Sequence, residues 1–78
     1  MSPLQKWLND LDISQVKFAL AAGLGRAEVQ SVCAGYHSLR GPLRNYVESL
    51  RADIAADQDA WFVVHQKEAH RQVAEVAA

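Results

Sequence analysis

His65 and His70, with Glu68 between them, are the first place to look for chemistry in this 78-residue chain. A zinc helix presents two histidines four positions apart on one face. The spacing of five here splays them around the helix, so no metal site is expected. Cys33 is the single cysteine. No internal disulfide can form, and beside Val32 the thiol reads as a small buried hydrophobe rather than a nucleophile. Gly23-Leu24-Gly25-Arg26 contains a G-x-G, but no strand precedes it and no Gly-Lys-Ser or Gly-Lys-Thr follows, which excludes a nucleotide loop. No histidine has an evident nucleophile or carboxylate partner. The chain is not expected to be an enzyme, and no cofactor or small-molecule substrate is evident.

The remaining chemistry is hydrogen bonding and charge. The formal net charge is −1, which by itself suggests no polyanionic partner. Its distribution is uneven. Residues 14–51 set Lys17, Arg26, Arg40, Arg44 and Arg51 against Glu28 and Glu48, a net of +3. Residues 52–78 set Lys67 and Arg71 against Asp53, Asp57, Asp59, Glu68 and Glu75, a net of −3. A basic middle with an acidic tail can orient a protein on a polyanion.

The elements that must position these groups read as helices. Half of the residues are apolar, with few prolines and glycines, and β-branched residues never alternate over a strand's length. One all-α domain over residues 1–78 is expected, a compact bundle of about five short helices. Ser2-Pro3-Leu4-Gln5 has the cap, the first-position proline and the glutamine of a capping box. It opens a helix whose face is Leu4, Leu8 and Leu11, with Trp7 beside it. Ser14 caps a second helix carrying Val16, Phe18, Ala19 and Ala22, which stops at Gly23. A third runs from about Arg26 to Ala34 with Val29 and Val32 inward. A loop over 35–41 follows. Pro42 starts a fourth helix with Leu43, Val47, Leu50 and Ile54 at helical spacing, and Asp57 caps a fifth, carrying Trp61, Phe62, Val64, Ala69, Val73 and Val76. Whether the last two are separate or one bent helix is open at this level. The N-terminus has no basic region followed by an apolar one, and the longest apolar run, Phe18 to Leu24, is far shorter than the roughly 20 residues of a spanning helix. A cytoplasmic chain is therefore expected.

Two glycines in the middle of residues 14–35 carry more information than their cost of about 1 kcal/mol against alanine would suggest. A small residue, Ala19, suits a close crossing of two helices, and Gly23, four positions later, suits a turn that needs positive φ. Phe18, Ala22 and Leu24 can then lock against Val29 and Val32. With Gln15 in front, this spacing resembles the helix-turn-helix of the lambda-repressor and Cro-like regulators. Gln15 matches the opening glutamine, Phe18 the first apolar lock and Ala19 the crossing residue. Gly23 matches the turn glycine, Leu24 the apolar residue after it, and Val29 and Val32 the inward positions of the second motif helix. Gly35, the loop and "PLRNYVESL" look like the continuation beyond the motif. Gly25 departs from it, since the family usually has serine or threonine there to cap the second helix.

The resemblance implies a double-stranded DNA operator as partner and a transcriptional regulator, of the phage, prophage or plasmid repressor type. With Val29 and Val32 inward, Ala27, Ser31 and Ala34 face outward, flanked by Gln30 and Glu28, and Arg26 lies at the N-terminal lip. The expected base contacts are Arg26 to guanine, Gln30 to adenine, Ala27 by close approach and Ser31 to several bases. The expected phosphate contacts are Gln15, Lys17, Tyr36, His37, Ser38, Arg40 and Arg44. Regulators of this class usually bind as two-fold dimers, and the apolar surface of residues 57–78, through Trp61, Phe62, Val64 and Val73, is the expected homodimer interface. The alternative is the same scaffold used as a protein-interaction module, an inhibitor or adaptor, with little affinity for DNA. The near-neutral charge and Glu28 favour it.

Overall fold

The computed structural model describes the backbone of residues 1–77 and the side chains of residues 1–66. It is all helical, with no strand among the described residues. The order is α1 (Pro3–Asp10), α2 (Gln15–Ala22), α3 (Arg26–Ala34) and α4 (Gly41–Ala77). No helix among the described residues is long and apolar enough to cross a membrane.

Each short helix begins and ends for a local chemical reason. Ser2 takes an extended conformation and its Oγ accepts the Gln5 N–H at 3.2 Å, with Pro3 in the first turn. The expected return arm of a capping box is not made. The Gln5 amide instead donates to Asn9 Oδ1 at 2.8 Å and accepts from the Gln15 side chain. Ser14 caps α2 through the Lys17 N–H at 3.1 Å. Gly25 precedes α3 with no side-chain cap.

All three helices end in the same motif, one residue with positive φ and two reversed hydrogen bonds. At Gly23 (φ 74°) the Gly23 N–H reaches the Leu20 carbonyl and the Leu24 N–H the Ala19 carbonyl, at 3.1 and 2.8 Å. At Gly35 (φ 90°) the Gly35 N–H reaches Val32 and the Tyr36 N–H reaches Ser31, at 3.2 and 2.9 Å. At the end of α1 the positive-φ position is filled by Asp12 (φ 57°), with the Asp12 N–H on Asn9 and the Ile13 N–H on Leu8. A residue with a Cβ is strained there, though aspartate less than most. Replacing Asp12 with glycine is expected to stabilise the fold by about 0.5 kcal/mol and raise the melting midpoint by about 2–4 °C in a thermal scan.

The long element α4 is interrupted at Arg51, whose φ and ψ of −150° and 87° are not helical. The interruption is a reversal rather than a slight bend. Arg44 and Asp59 would stand about 22 Å apart along a straight helix, yet their side chains form a two-pronged ion pair with N–O distances of 2.8 and 2.7 Å. The stretches on either side of Arg51 therefore lie side by side. Asp57, expected to cap a separate fifth helix, lies inside the second stretch, and the break falls six residues earlier. At the break Asp53 pairs with the Arg51 guanidinium at 2.9 and 2.7 Å. The Asp53 carboxyl, favoured first by that guanidinium and also by the amides of Asp53 and Ile54, is held down to about 2. A carboxylate at that point complements the N-terminal dipole of the second stretch.

The core is Leu4, Trp7 and Leu8 from α1, Phe18 and Ala19 from α2, Val29, Val32 and Cys33 from α3, Leu39 from the loop, and Leu43, Val47 and Ala55 from α4. Trp7, Phe18 and Tyr46 meet edge to face, with centroids 5.8 and 5.4 Å apart. Three residues expected on inward faces are instead half exposed: Leu11, Val16 and Leu50. Leu11 is the C-cap of α1, at the exposed end of its helix. Val16 lies about 110° around its helix from the buried row of Phe18 and Ala19. Leu50 immediately precedes the break.

One polar residue joins three helices. Gln58 is fully buried in α4; its Oε1 accepts the Leu4 N–H at 2.9 Å and its Nε2 donates to the Val32 carbonyl at 3.1 Å. The amide thus satisfies a free donor in the first turn of α1 and a carbonyl in the last turn of α3.

Candidate nucleic-acid interface

The corner at Gly23 turns α3 so that one side is sealed and the other is open. Val29, Val32 and Cys33 are buried, while Arg26, Ala27, Glu28, Gln30 and Ala34 are exposed and Ser31 is half buried. Cys33 lies behind this face. Burial pushes its thiol up to about 11, against a smaller opposing effect of a hydrogen bond with Ser2, so it stays protonated at neutral pH. Such a thiol is a poor nucleophile.

The expected contact residues are partly brought together. A cleft of about 330 Å³ lies between α3 and the loop after it, lined by Ala27, Glu28, Ser31, Val32, His37, Ser38 and Arg40. Two of the expected base-contact residues and three of the expected phosphate-contact residues meet there. The loop is held against α3 by the Ser31 carbonyl, which accepts the Tyr36 N–H at 2.9 Å and the His37 N–H at 3.4 Å. Tyr36 beside it is 74% exposed. Arg26 and Gln30 lie on the open side of α3 but do not line the cleft.

Three expected contacts stand elsewhere. Gln15, half buried, gives its side-chain amide to Gln5 and so ties α2 to α1. Lys17 is exposed on α2, beside a separate apolar groove formed with α1 and α4. Arg44 is committed inside the fold. Besides Asp59, its guanidinium donates to the Leu39 carbonyl at 3.0 Å and pairs with Glu48 at 2.8 Å. The Asp59 carboxylate above all holds the Arg44 pKa well above its ordinary value. Those three partners use the donor fork that a phosphate would need.

The apolar residues of the last stretch also divide. Trp61 is half buried against Gly35, where a Cβ would meet its ring at 3.1 Å, and it stacks on His65 with centroids 4.1 Å apart. Phe62 is half buried and Val64 exposed, with Val63 beside it also exposed. Val73, Ala69 and Val76, together with the side chains of Glu68 and His70, lie outside the described side chains. Among the described residues no group of three histidine, cysteine or acidic side chains is placed to hold a metal ion.

Two residues that matter here were not singled out from sequence. Leu20, on the outer side of α2, is 74% exposed. Gln58 gave no signal, because a single glutamine among acidic and small residues reads as surface. No family model matches this sequence, and no curated protein or solved structure matches it either.

Proposed function

We propose that the protein is a sequence-specific double-stranded DNA-binding regulator of the helix-turn-helix type, with α3 as the reading helix. The observation that carries this reading is the open face of α3. Arg26, Ala27 and Gln30 project from a helix sealed behind by Val29 and Val32, next to a cleft that holds His37, Ser38 and Arg40. A helix with a small outward residue and polar flanks fits the width of the major groove. Donors on an adjoining loop are the groups that fix a reading helix on the phosphates. The alanine at 19 and the positive-φ glycine at 23, each where the resemblance requires it, add support.

Selection from a random duplex pool tests the proposal, and a palindromic consensus is the expected result. Arg26→Ala and Gln30→Ala are each expected to relax discrimination at one base position by about 1–3 kcal/mol. Arg40→Ala should reduce the salt slope of binding by about one. Arg44→Gln should leave that slope unchanged and lower the melting midpoint, since its guanidinium serves the fold. Unaltered selectivity in both α3 variants would remove α3 from the interface.

Homodimerisation is part of the proposal, because one short helix buries too little surface to specify an operator. Trp61 serves the monomer, so Val64→Asp is the informative variant. It is expected to convert a sedimenting dimer to monomer without loss of helicity, and a monomeric wild type would remove the dimer. One observation favours the protein-interaction reading instead: Glu28 lines the cleft and would face phosphate or require a cytosine amino group. A pool that yields no enriched duplex selects that alternative.

A further inference from the structure

On the side of α2 away from α3 lies a groove of about 240 Å³ that, of the residues expected to contact DNA, includes only Lys17. Its floor is the edge-to-face pair Trp7 and Phe18, both buried. Its walls are Leu11, Ile13 and Ala21 on one side and Tyr46 and Leu50 on the other, with Lys17 at the mouth. Leu11 and Leu50 are each about half exposed, so the walls spend apolar surface on solvent when the groove is empty. Among the described residues Lys17 enters no ion pair.

From this geometry we infer that the groove is a binding site for a small aromatic or alicyclic carboxylate. An apolar cavity of roughly 150 Å³ accommodates one benzene ring, so this groove has room for one to two fused rings. Aromatic side chains from three helices, Trp7 and Phe18 in the floor and Tyr46 in a wall, offer contact to a flat apolar body. A single cation at the rim selects its acid over a neutral analogue. The size suits a small ligand, and the one cation at the mouth argues for a monoanion. The inference uses no residue of α3 or of the loop after it, and shares only Lys17 with the expected DNA contacts.

The test is titration of isotopically labelled protein with 2-naphthoate and, separately, with its neutral analogue 2-naphthamide. Naphthoate is expected to shift the amide resonances of Lys17, Ala21, Tyr46 and Leu50 and to bind more tightly than the amide. Ala21→Leu fills the groove from an exposed position on α2 and should weaken both probes at least about tenfold. Leu50→Phe, which narrows it from the opposite wall, should act in the same direction if folding of the first variant is in doubt. Lys17→Gln should cost naphthoate about two- to fivefold and leave naphthamide unchanged. Unchanged binding in the two filling variants, shifts confined to other parts of the chain, or equal affinity for the two probes would overturn the proposal. So would sedimentation showing a dimer that Ala21→Leu dissociates, since a second copy would then occupy the groove.

Discussion

Gln58→Ala is expected to lower the stability of the fold by about 3 kcal/mol, more than a surface glutamine's removal would. The reason is that the amide stands between two backbone groups that water does not reach. Without it the Leu4 N–H, one of the unbonded donors of the first turn of α1, has no acceptor. The Val32 carbonyl keeps a weaker partner in the Gly35 N–H at 3.2 Å, so the larger part of the loss falls on α1. For a chain of this length the loss corresponds to a fall in the melting midpoint of about 12–24 °C. Gln58→Glu separates this account from simple loss of volume. A neutral carboxylic acid can accept from Leu4 and donate to Val32 as the amide does, whereas a carboxylate can do only the first. Burial raises the folded-state pKa of such a carboxyl above its unfolded value of about 4.3. Its stability is therefore fully present below the unfolded pKa and is lost as pH rises through the folded one. Thermal melts of Gln58→Glu should approach the wild type near pH 4 and fall far below it at pH 7. A melting midpoint for that variant that does not change with pH would refute the role assigned to the amide.

The same residue marks where sequence reasoning stops. The three short helices were legible because their ends are written in side chains: Ser2 and Ser14 open, Gly23 and Gly35 close. The inward rows of α1 and α3 were legible because Leu4, Leu8, Val29 and Val32 repeat at helical spacing. The break in α4 was not. The two stretches it separates are joined by Arg44 and Asp59, which look like ordinary surface charges until the stretches lie side by side. Pairing between residues distant along the chain leaves no local periodicity. For the same reason Arg44 read as a free cation suited to a phosphate, while in the fold its fork is filled. The cleft beside α3 lay between these extremes. Its members were individually visible as polar residues around a loop, but the fold of residues 35–40 that gathers His37, Ser38 and Arg40 rests on backbone hydrogen bonds.

Gly35→Ala is expected to cost about 2–4 kcal/mol and to release the last stretch of α4 from α3. Two independent effects add at this position. The backbone φ of 90° is one that L residues rarely adopt, which alone costs about 1–2 kcal/mol. The added Cβ would also meet the Trp61 ring at 3.1 and 3.4 Å and the His65 Cβ at 3.7 Å. Trp61 cannot yield freely, because it is stacked on His65 at an interplanar angle of 19°. Forcing a methyl into such a contact adds about 1–3 kcal/mol, part of which relaxation of the indole recovers. Gly23→Ala is the matched control. Its φ of 74° carries a similar backbone penalty, yet nothing lies within 4 Å of the position its Cβ would take. Thermal melts should therefore rank Gly35→Ala below Gly23→Ala by the contact term alone. Trp61→Leu, which removes the ring, should narrow the gap between them. If both alanine variants melt together in the wild-type background, the indole does not bear on Gly35 and Trp61 returns to the set of surfaces available for a second copy of the chain.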